Sequence, residues 1–188
     1  MADGGEGLLM AIAATCPGSW HSAVQTGIHG RSLEARWYAM DTGTAVIESA
    51  EVLGLPLIEA TPGAPDLAGR GSYALGTLIA EVLDDGWRDI AVGLGGSACN
   101  DAGLGLLLAL GAVATDRAGH PVSPDMNGLL SLARLDLSDL DRRLADTRLR
   151  VFCDVDNPLL GDHGASRVYG PQKGLGPDEI AAVENAFD

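Results

Sequence analysis

The 188-residue sequence is long enough for one large or two small domains, and its 46% hydrophobic content can bury a core. Its formal net charge of −14 leaves no basic face for a phosphate backbone or an anionic bilayer, so we expect no nucleic-acid or membrane partner. The sequence shows neither a transmembrane run nor the regions of a signal peptide, which indicates a cytoplasmic protein. Cys16, Cys99 and Cys153 are widely spaced, which argues against a disulfide framework or a zinc site.

The first third of the sequence predicts a turn, a helix and a small antiparallel meander. The opening MADGGEG runs directly into an apolar stretch of helical length at residues 7–14. An independent domain rarely begins with a tight loop that no strand supports, so we expect a strand to precede Met1 in the complete protein. Residues 20–26, 32–40 and 44–49 read as strands, and Asp41-Thr42-Gly43 fits the hairpin turn between the last two.

The middle of the sequence alternates between helix and strand patterns. Apolar residues recur at helical spacing over residues 72–83, with Gly86 as a plausible C-cap. Residues 89–94 predict a short strand that breaks into a glycine turn before an apolar helix at residues 102–110. Another strand is expected at residues 113–115, followed by an exposed loop.

The last part of the sequence predicts a helix, a strand, a long loop and a final helix. Ser138 can cap a short helix at residues 139–145, and residues 148–153 favour a strand. Residues 154–176 are rich in glycine and proline without periodicity, which is typical of a functional loop. Pro177 and the acids after it are typical of the first turn of a helix, which we expect to run to Asp188.

These patterns predict an α/β fold with a mainly parallel sheet and a small antiparallel meander. We place an incomplete first lobe with the meander at residues 1–70 and an α/β lobe at residues 71–188.

The segment IAVGLGGSACNDAG, residues 90–103, is the strongest candidate for chemistry. A strand that ends in glycines before a helix points several amides at one spot, which suits phosphate or carboxylate. The candidate amides are those of Gly95, Gly96 and Ser97. Asn100 could add a side-chain hydrogen bond, and Asp101 could orient a hydroxyl or hold magnesium. Alternatively, either residue only caps the helix, and the glycines allow close packing.

The segment CDVDNPLLGDHGASRVYGPQKG, residues 153–174, follows a strand end, where ligands bind in open α/β sheets. Asp154 and Asp156 are therefore placed to act as a general base or magnesium ligand, although Asp156 could instead be a turn residue before Pro158. Arg167 and Lys173 are candidate anion binders. Lys173 is the only lysine among twelve basic residues, and a lysine can bind phosphate as a compact point charge. Asn157 is more easily explained as a turn residue before Pro158, and Lys173 could be a surface lysine left by chance.

The opening segment again places acids and amides at a helix start, through Asp3, Gly4, Gly5 and Glu6. Taken alone it is a weak signal. The sequence carries no Walker A motif, no dinucleotide-binding glycine fingerprint, no H-E-x-x-H and no nucleophile elbow, so the common nucleotide folds are not supported.

Taken together and in order, ADGGEG, AVIESAEVLGL, GGSACND and CDVDNPLLGDHGASRVYGPQKG resemble the bacterial glycerate kinase family over essentially the whole chain. The resemblance implies transfer of the γ-phosphoryl group of ATP to D-glycerate, with Mg²⁺, between two α/β lobes. For this chemistry we expect catalytic roles for Asp154, Asp101 and Lys173, with the two aspartates as magnesium ligand or base. The expected ATP- and substrate-binding residues are Asp3, Gly4, Gly5, Glu6, Gly95, Gly96, Ser97, Asn100, Asn157, Arg167 and Gln172.

The sequence departs from the family pattern in two respects. Members of the family are longer at both ends, so we expect part of the site to lie outside these residues; the alternative is a non-catalytic remnant that binds a ligand or another protein. The family usually has SYGTGEL where this chain has SYALGTL at residues 72–78, which removes polar groups at Leu75 and Thr77. A homo-oligomer is left open, because apolar edges are expected where further segments would dock.

Overall fold

The computed structural model describes residues 4–187, and its helices and strands follow the predicted alternation. The helices are α1 (Leu8–Ala13), α2 (Ala50–Leu53), α3 (Leu55–Glu59), α4 (Tyr73–Asp84), α5 (Leu104–Ala109), α6 (Met126–Ser131), α7 (Ala165–Lys173) and α8 (Pro177–Phe187). The strands are β1 (Gly18–Thr26), β2 (Ser32–Met40), β3 (Ala45–Glu48), β4 (Asp89–Gly93), β5 (Val113–Thr115), β6 (Arg134–Asp136) and β7 (Arg148–Phe152). Short 3₁₀ helices lie at Leu67–Gly69 and Arg142–Asp146.

Five strands form one mixed sheet in the order β1-β2-β3-β4-β7. The first three strands pair antiparallel as the predicted meander. β3, β4 and β7 are parallel to one another, so their carboxyl ends meet at one edge. β5 and β6 form a separate antiparallel pair. The structure therefore confirms the α/β fold expected from the sequence.

Helices cover both faces of this sheet. On one face α4 packs the apolar residues of its helical stripe, including Leu78 and Val82, against Ile47 and Ile90 of the central strands. On the other face Leu9 of α1 joins a smaller cluster over the same strands. Leu75, at one of the positions that depart from the family pattern, is 2% exposed within the α4 core. A threonine at this position would bury a hydroxyl that needs a hydrogen-bond partner, whereas the leucine packs in the apolar core.

The segment 154–176, expected to be a loop, contains helix α7, and this prediction was wrong. Its glycines and Pro171 hide the helical pattern. The helix is held by tertiary contacts, since Leu175 just beyond it packs with Leu67, Met126 and Val183 in a separate apolar cluster. Such contacts supply most helix stability in proteins and override weak propensity.

The region around residues 139–145 also differs from the expectation. It forms the 3₁₀ helix Arg142–Asp146, and its cap is Asp141, whose side chain accepts from the amide of Arg143. Ser138 instead donates its amide to Asp136, so it is not the cap. The short elements α2, α3, α6 and β6 were not predicted from the sequence.

Strands from both sides of position 70 lie in the same sheet, because β3 and β4 are direct neighbours. The division into lobes at that position stays a prediction. Among the described residues, no helix has the length and apolar character to cross a membrane.

Candidate functional site

A cleft of about 260 Å³ opens at the carboxyl ends of β4 and β7. This is the edge of the sheet where the parallel strands end and where ligands bind in open α/β folds. Its lining includes most of the residues that the sequence singled out. The lining residues are Leu94, Gly95, Gly96, Ser97, Cys153, Asp154, Val155, Tyr169, Gln172 and Lys173.

The glycine turn after β4 forms one wall of the cleft. The Gly95 amide donates to the Gly4 carbonyl at 3.0 Å, so it is already used within the protein. No residue among 4–187 accepts a hydrogen bond from the amides of Gly96 or Ser97. Gly96 has a φ of 75°, a left-handed conformation that glycine adopts without strain. Two of the three predicted amides are therefore available to an anion.

Lys173 reaches the same wall from α7. Its ammonium donates to the Cys99 carbonyl at 2.7 Å and to the Ser97 hydroxyl at 3.4 Å. The side chain is half-buried, and this burial lowers the pKa of Lys173. The negative charge of Asp101 acts in the opposite direction, but desolvation dominates.

The glycines on either side of Lys173 have a structural explanation, because they close α7 in a Schellman motif. The Gly174 amide donates to the Pro171 carbonyl at 3.1 Å, and the Leu175 amide donates to the Gly170 carbonyl at 2.9 Å. Gly174 has a φ of 106°, and a side chain at Gly170 would press on Leu175. Lys173 is thus the last residue of a helix with a tightly defined end.

Both ends of α7 are hydrogen-bonded to the loop that follows the glycine turn. Lys173 binds this loop at one end. At the other end Asn100 donates its side-chain amide to the hydroxyl of Ser166 at 3.1 Å, and Ser166 is 1% exposed. Asn100 does not line the cleft, so in this structure it fixes the helix.

Asp154 follows β7 and lines the same cleft. It is exposed, and no hydrogen bond from residues 4–187 reaches its carboxylate. It also lines an adjoining depression beside Leu8, Ile12 and Phe152. No group of three or more histidine, cysteine or acidic side chains able to hold a metal occurs in the described part of the chain. Mg²⁺ needs only one or two carboxylates when phosphates and water complete its shell, so Asp154 fits that role.

Asp101, the second predicted magnesium ligand, does not line the cleft. It is 2% exposed, and its Oδ2 accepts from the Ser72 amide at 2.8 Å, the Ser72 hydroxyl at 2.8 Å and the Gly105 amide at 2.9 Å. Its Oδ1 accepts from the Gly103 amide at 3.3 Å. With both oxygens engaged in this way, the geometry favours a structural role and does not support a metal ligand or base.

Two other predicted binding residues also lie outside the cleft. Arg167 forms an ion pair with Glu184 of α8 at 2.6 Å, which ties α7 to α8. Asn157 accepts from the hydroxyl of Tyr169 at 2.6 Å and donates to the His163 carbonyl at 2.9 Å. It therefore fixes the loop, in agreement with the turn-forming alternative.

The opening segment supports the site from behind. Gly4 has a φ of 84°, and a Cβ there would lie 2.9 Å from the carbonyl oxygen of Phe152, so only glycine fits between the ends of β4 and β7. Gly5 packs against the glycine turn, where a side chain at Gly95 would meet its backbone. Glu6 lines a different depression, beside Glu48. Asp3 lies outside the described residues.

The sequence did not single out three residues that contribute to this region. Tyr169 and Cys153 line the cleft, and Tyr169 lies four positions before Lys173 on the same helix face. That spacing would have indicated Tyr169 if the segment had been read as a helix. Arg70 donates to the Lys173 carbonyl across 103 residues, and no local pattern signals this contact.

Comparison with known proteins identifies close similarity along the whole chain. The model of the glycerate kinase family matches residues 1–188. A protein from Escherichia coli K12 named glycerate 2-kinase is 42% identical, over 98% of this chain and 48% of its own length. A glycerate kinase from Bacillus subtilis 168 is 40% identical, over 98% of this chain and 48% of its own length.

A solved structure shows the same fold. The crystal structure of a protein assigned as glycerate kinase 2 from Salmonella typhimurium LT2 aligns with a TM-score of 0.89 and 39% identity. The alignment covers 99% of this chain and 50% of that one. The chain thus spans about half the length of the relatives it matches.

Proposed function

The chain belongs to the glycerate kinase family, and from this premise we propose that it takes part in the transfer of a phosphoryl group from ATP to D-glycerate in the cytoplasm. One observation carries the proposal. The only lysine of the chain, an exposed carboxylate and two amides that donate to no residue among 4–187 line a single cleft at the strand ends. These are the groups that a nucleotide kinase needs around its phosphates.

Phosphoryl transfer depends mainly on positioning and on neutralisation of charge in the transition state. In the proposed complex the ammonium of Lys173 and the amides of Gly96 and Ser97 bind phosphate oxygens. They act as donors fixed in advance, because the glycine turn and the end of α7 are held by main-chain hydrogen bonds. In a chain with net charge −14, such local donors are needed to bind an anionic substrate.

Asp154 lines the same cleft as Lys173 and is proposed either to hold Mg²⁺ or to accept the proton of the glycerate hydroxyl. Asp154 would hold Mg²⁺, which would supply positive charge to offset that of the phosphates. The two roles differ in one measurable respect. A ligand role predicts that Asp154→Asn raises the Mg²⁺ concentration needed for half-maximal rate, whereas a base role predicts a lower rate at saturating Mg²⁺.

The proposal is tested by an assay that couples ADP release to NADH oxidation, with D-glycerate as acceptor. We expect Asp154→Ala to lower kcat by several orders of magnitude, in this chain and at the matching position of the longer E. coli relative. Asp156→Ala is the matched control, since it removes a nearby exposed carboxylate that does not line the cleft. A loss below tenfold at Asp154 would reject its role, and absence of both turnover and ATP binding by this chain would reject the proposal for it.

A further inference from the structure

Arg70 is a half-buried cation whose partners are carbonyl oxygens. Its Nε donates to the Pro65 carbonyl at 2.9 Å, and its Nη1 donates to the Lys173 carbonyl at 3.2 Å. No carboxylate within the described residues forms an ion pair with it. Burial lowers the pKa of Arg70, and only the charge of Asp66 opposes that effect. Burying the guanidinium costs free energy of desolvation, and the two hydrogen bonds to main-chain carbonyls offset part of that cost.

The contact to Lys173 completes the end of α7. In the Schellman motif the carbonyls of Gly170 and Pro171 accept main-chain hydrogen bonds. The carbonyl of Lys173, the last helical residue, accepts a hydrogen bond from Arg70. A cation at a helix C-terminus also interacts favourably with the helix dipole. Arg70 is itself held in place, because its own carbonyl accepts from the Met126 amide at 3.3 Å.

We propose that Arg70 is a positioning residue for Lys173. It fixes the main chain from which the lysine side chain extends, and the Cys99 carbonyl holds the other end. A lysine has four rotatable bonds, so one anchor alone leaves its ammonium free to leave the cleft. With both ends held, the charge stays next to the amides of the glycine turn. Only the catalytic consequence of this arrangement rests on the proposed function.

The positional part of the proposal can be measured without activity, because Lys173 is the only lysine. Reductive methylation with ¹³C-formaldehyde labels one side chain besides the terminal amine, and its rate is followed by intact mass and its signal by NMR. We expect Arg70→Gln to speed labelling of Lys173 about fivefold or more and to move its methyl signal towards that of free lysine. Arg70→Met, which keeps a long apolar side chain and removes the charge, serves if the glutamine variant fails to fold.

The matched control is Arg134→Gln, an exposed arginine on the separate β5–β6 pair. We expect it to leave both the labelling rate and the methyl signal unchanged. A folded Arg70 variant with the wild-type rate and signal at Lys173 would overturn the proposal.

The catalytic part is tested by a double-mutant cycle on kcat/KM for ATP. We expect Arg70→Met to lower kcat/KM about tenfold, Lys173→Met to lower it further, and the double variant to lose no more than Lys173→Met alone. If the loss of kcat/KM in the double variant equalled the product of the losses in the two single variants, Arg70 would act independently of Lys173. That result would overturn the positioning role. If the Arg70 variants label faster as expected but the wild-type chain shows no turnover, the proposed function fails and the positional result stands.

Discussion

Asp101 and Ser72 are joined by two hydrogen bonds to one carboxylate oxygen, from the amide and the hydroxyl of Ser72, each at 2.8 Å. The same oxygen accepts from the Gly105 amide, and the Ser72 hydroxyl in turn accepts from the Leu106 amide at 2.9 Å. One buried carboxylate therefore links the start of α4 to the start of α5. Its oxygens lie where the main-chain amides at the starts of both helices point, so the carboxylate supplies acceptors that the helices themselves lack.

Replacing Asp101 by asparagine should destabilise the fold by about 2–4 kcal/mol, because one amide oxygen cannot accept the same set of donors and the new NH₂ group faces buried amides. Urea unfolding monitored by circular dichroism measures the loss. Asp154→Asn, on an exposed side chain, should leave the unfolding midpoint unchanged. If Asp101→Asn kept wild-type stability but abolished the Mg²⁺ dependence of activity, the structural role would be wrong.

Gly174→Ala should destabilise the protein by about 1–2 kcal/mol, since its φ of 106° is unfavourable for a residue with a Cβ. Thermal unfolding is the measurement. Gly69→Ala is the control, because a Cβ there meets its neighbours at ordinary distances of 3.5 and 3.6 Å and the backbone is not left-handed. Equal melting temperatures for the two variants would argue against a strained helix end.

The pH dependence of ATP affinity should report the buried ammonium of Lys173. Phosphate binding needs the protonated form, so affinity should be lost as the pH rises through a pKa that burial has lowered from the usual lysine range. Lys173→Arg should move this alkaline loss to higher pH, because arginine stays charged. Titration calorimetry between pH 7 and 11 measures both proteins. If the wild type and Lys173→Arg lost ATP affinity over the same alkaline pH range, another group would control binding.

The contribution of Glu48 to stability should depend on pH in the opposite sense to that of an ordinary salt-bridged acid, whose contribution is lost as the pH falls. Its carboxylate is 5% exposed and accepts from the amides of Gly7 and Leu9 at 3.1 Å each, yet desolvation dominates and raises its pKa. A raised folded-state pKa means that stability is gained as the pH falls through it and is complete below the unfolded value. Glu48→Gln removes this titration.

The free energy of unfolding of the wild type, relative to Glu48→Gln, should therefore increase as the pH falls from about 7 to about 4. Urea unfolding of both proteins across this range provides the difference. A difference that stays constant, or that shrinks at low pH, would contradict the burial effect.

Much of the fold could be predicted from the sequence because its core elements have strong periodicity. The apolar stripe of α4 and the strand at residues 32–40 were predicted from the sequence, and the structure confirms both. α7 could not be predicted, since its glycines and Pro171 have low helix propensity and its stability comes from contacts with distant residues. Periodicity does not encode such contacts.

Some residues of the candidate site could likewise be predicted from local sequence, and others could not. Gly96, Asp154 and Lys173 could be placed from local rules, because strand ends and glycine turns meet at one edge of a parallel sheet. The role of Asp101 could not be predicted in the same way, since an acid in a glycine-rich segment reads equally well as a ligand or as a cap. Its contact with Ser72 favours the structural role, and the ligand role stays a prediction.

The attachment of α7 at both ends has a mechanical consequence. Asn100 holds its first turn through Ser166, and Lys173 holds its last turn through Cys99. The helix and the glycine turn are therefore expected to move as one rigid body. The Asp154 carboxylate accepts no hydrogen bond from residues 4–187, so its side chain can change rotamer to admit a ligand while the helix and the glycine turn stay fixed.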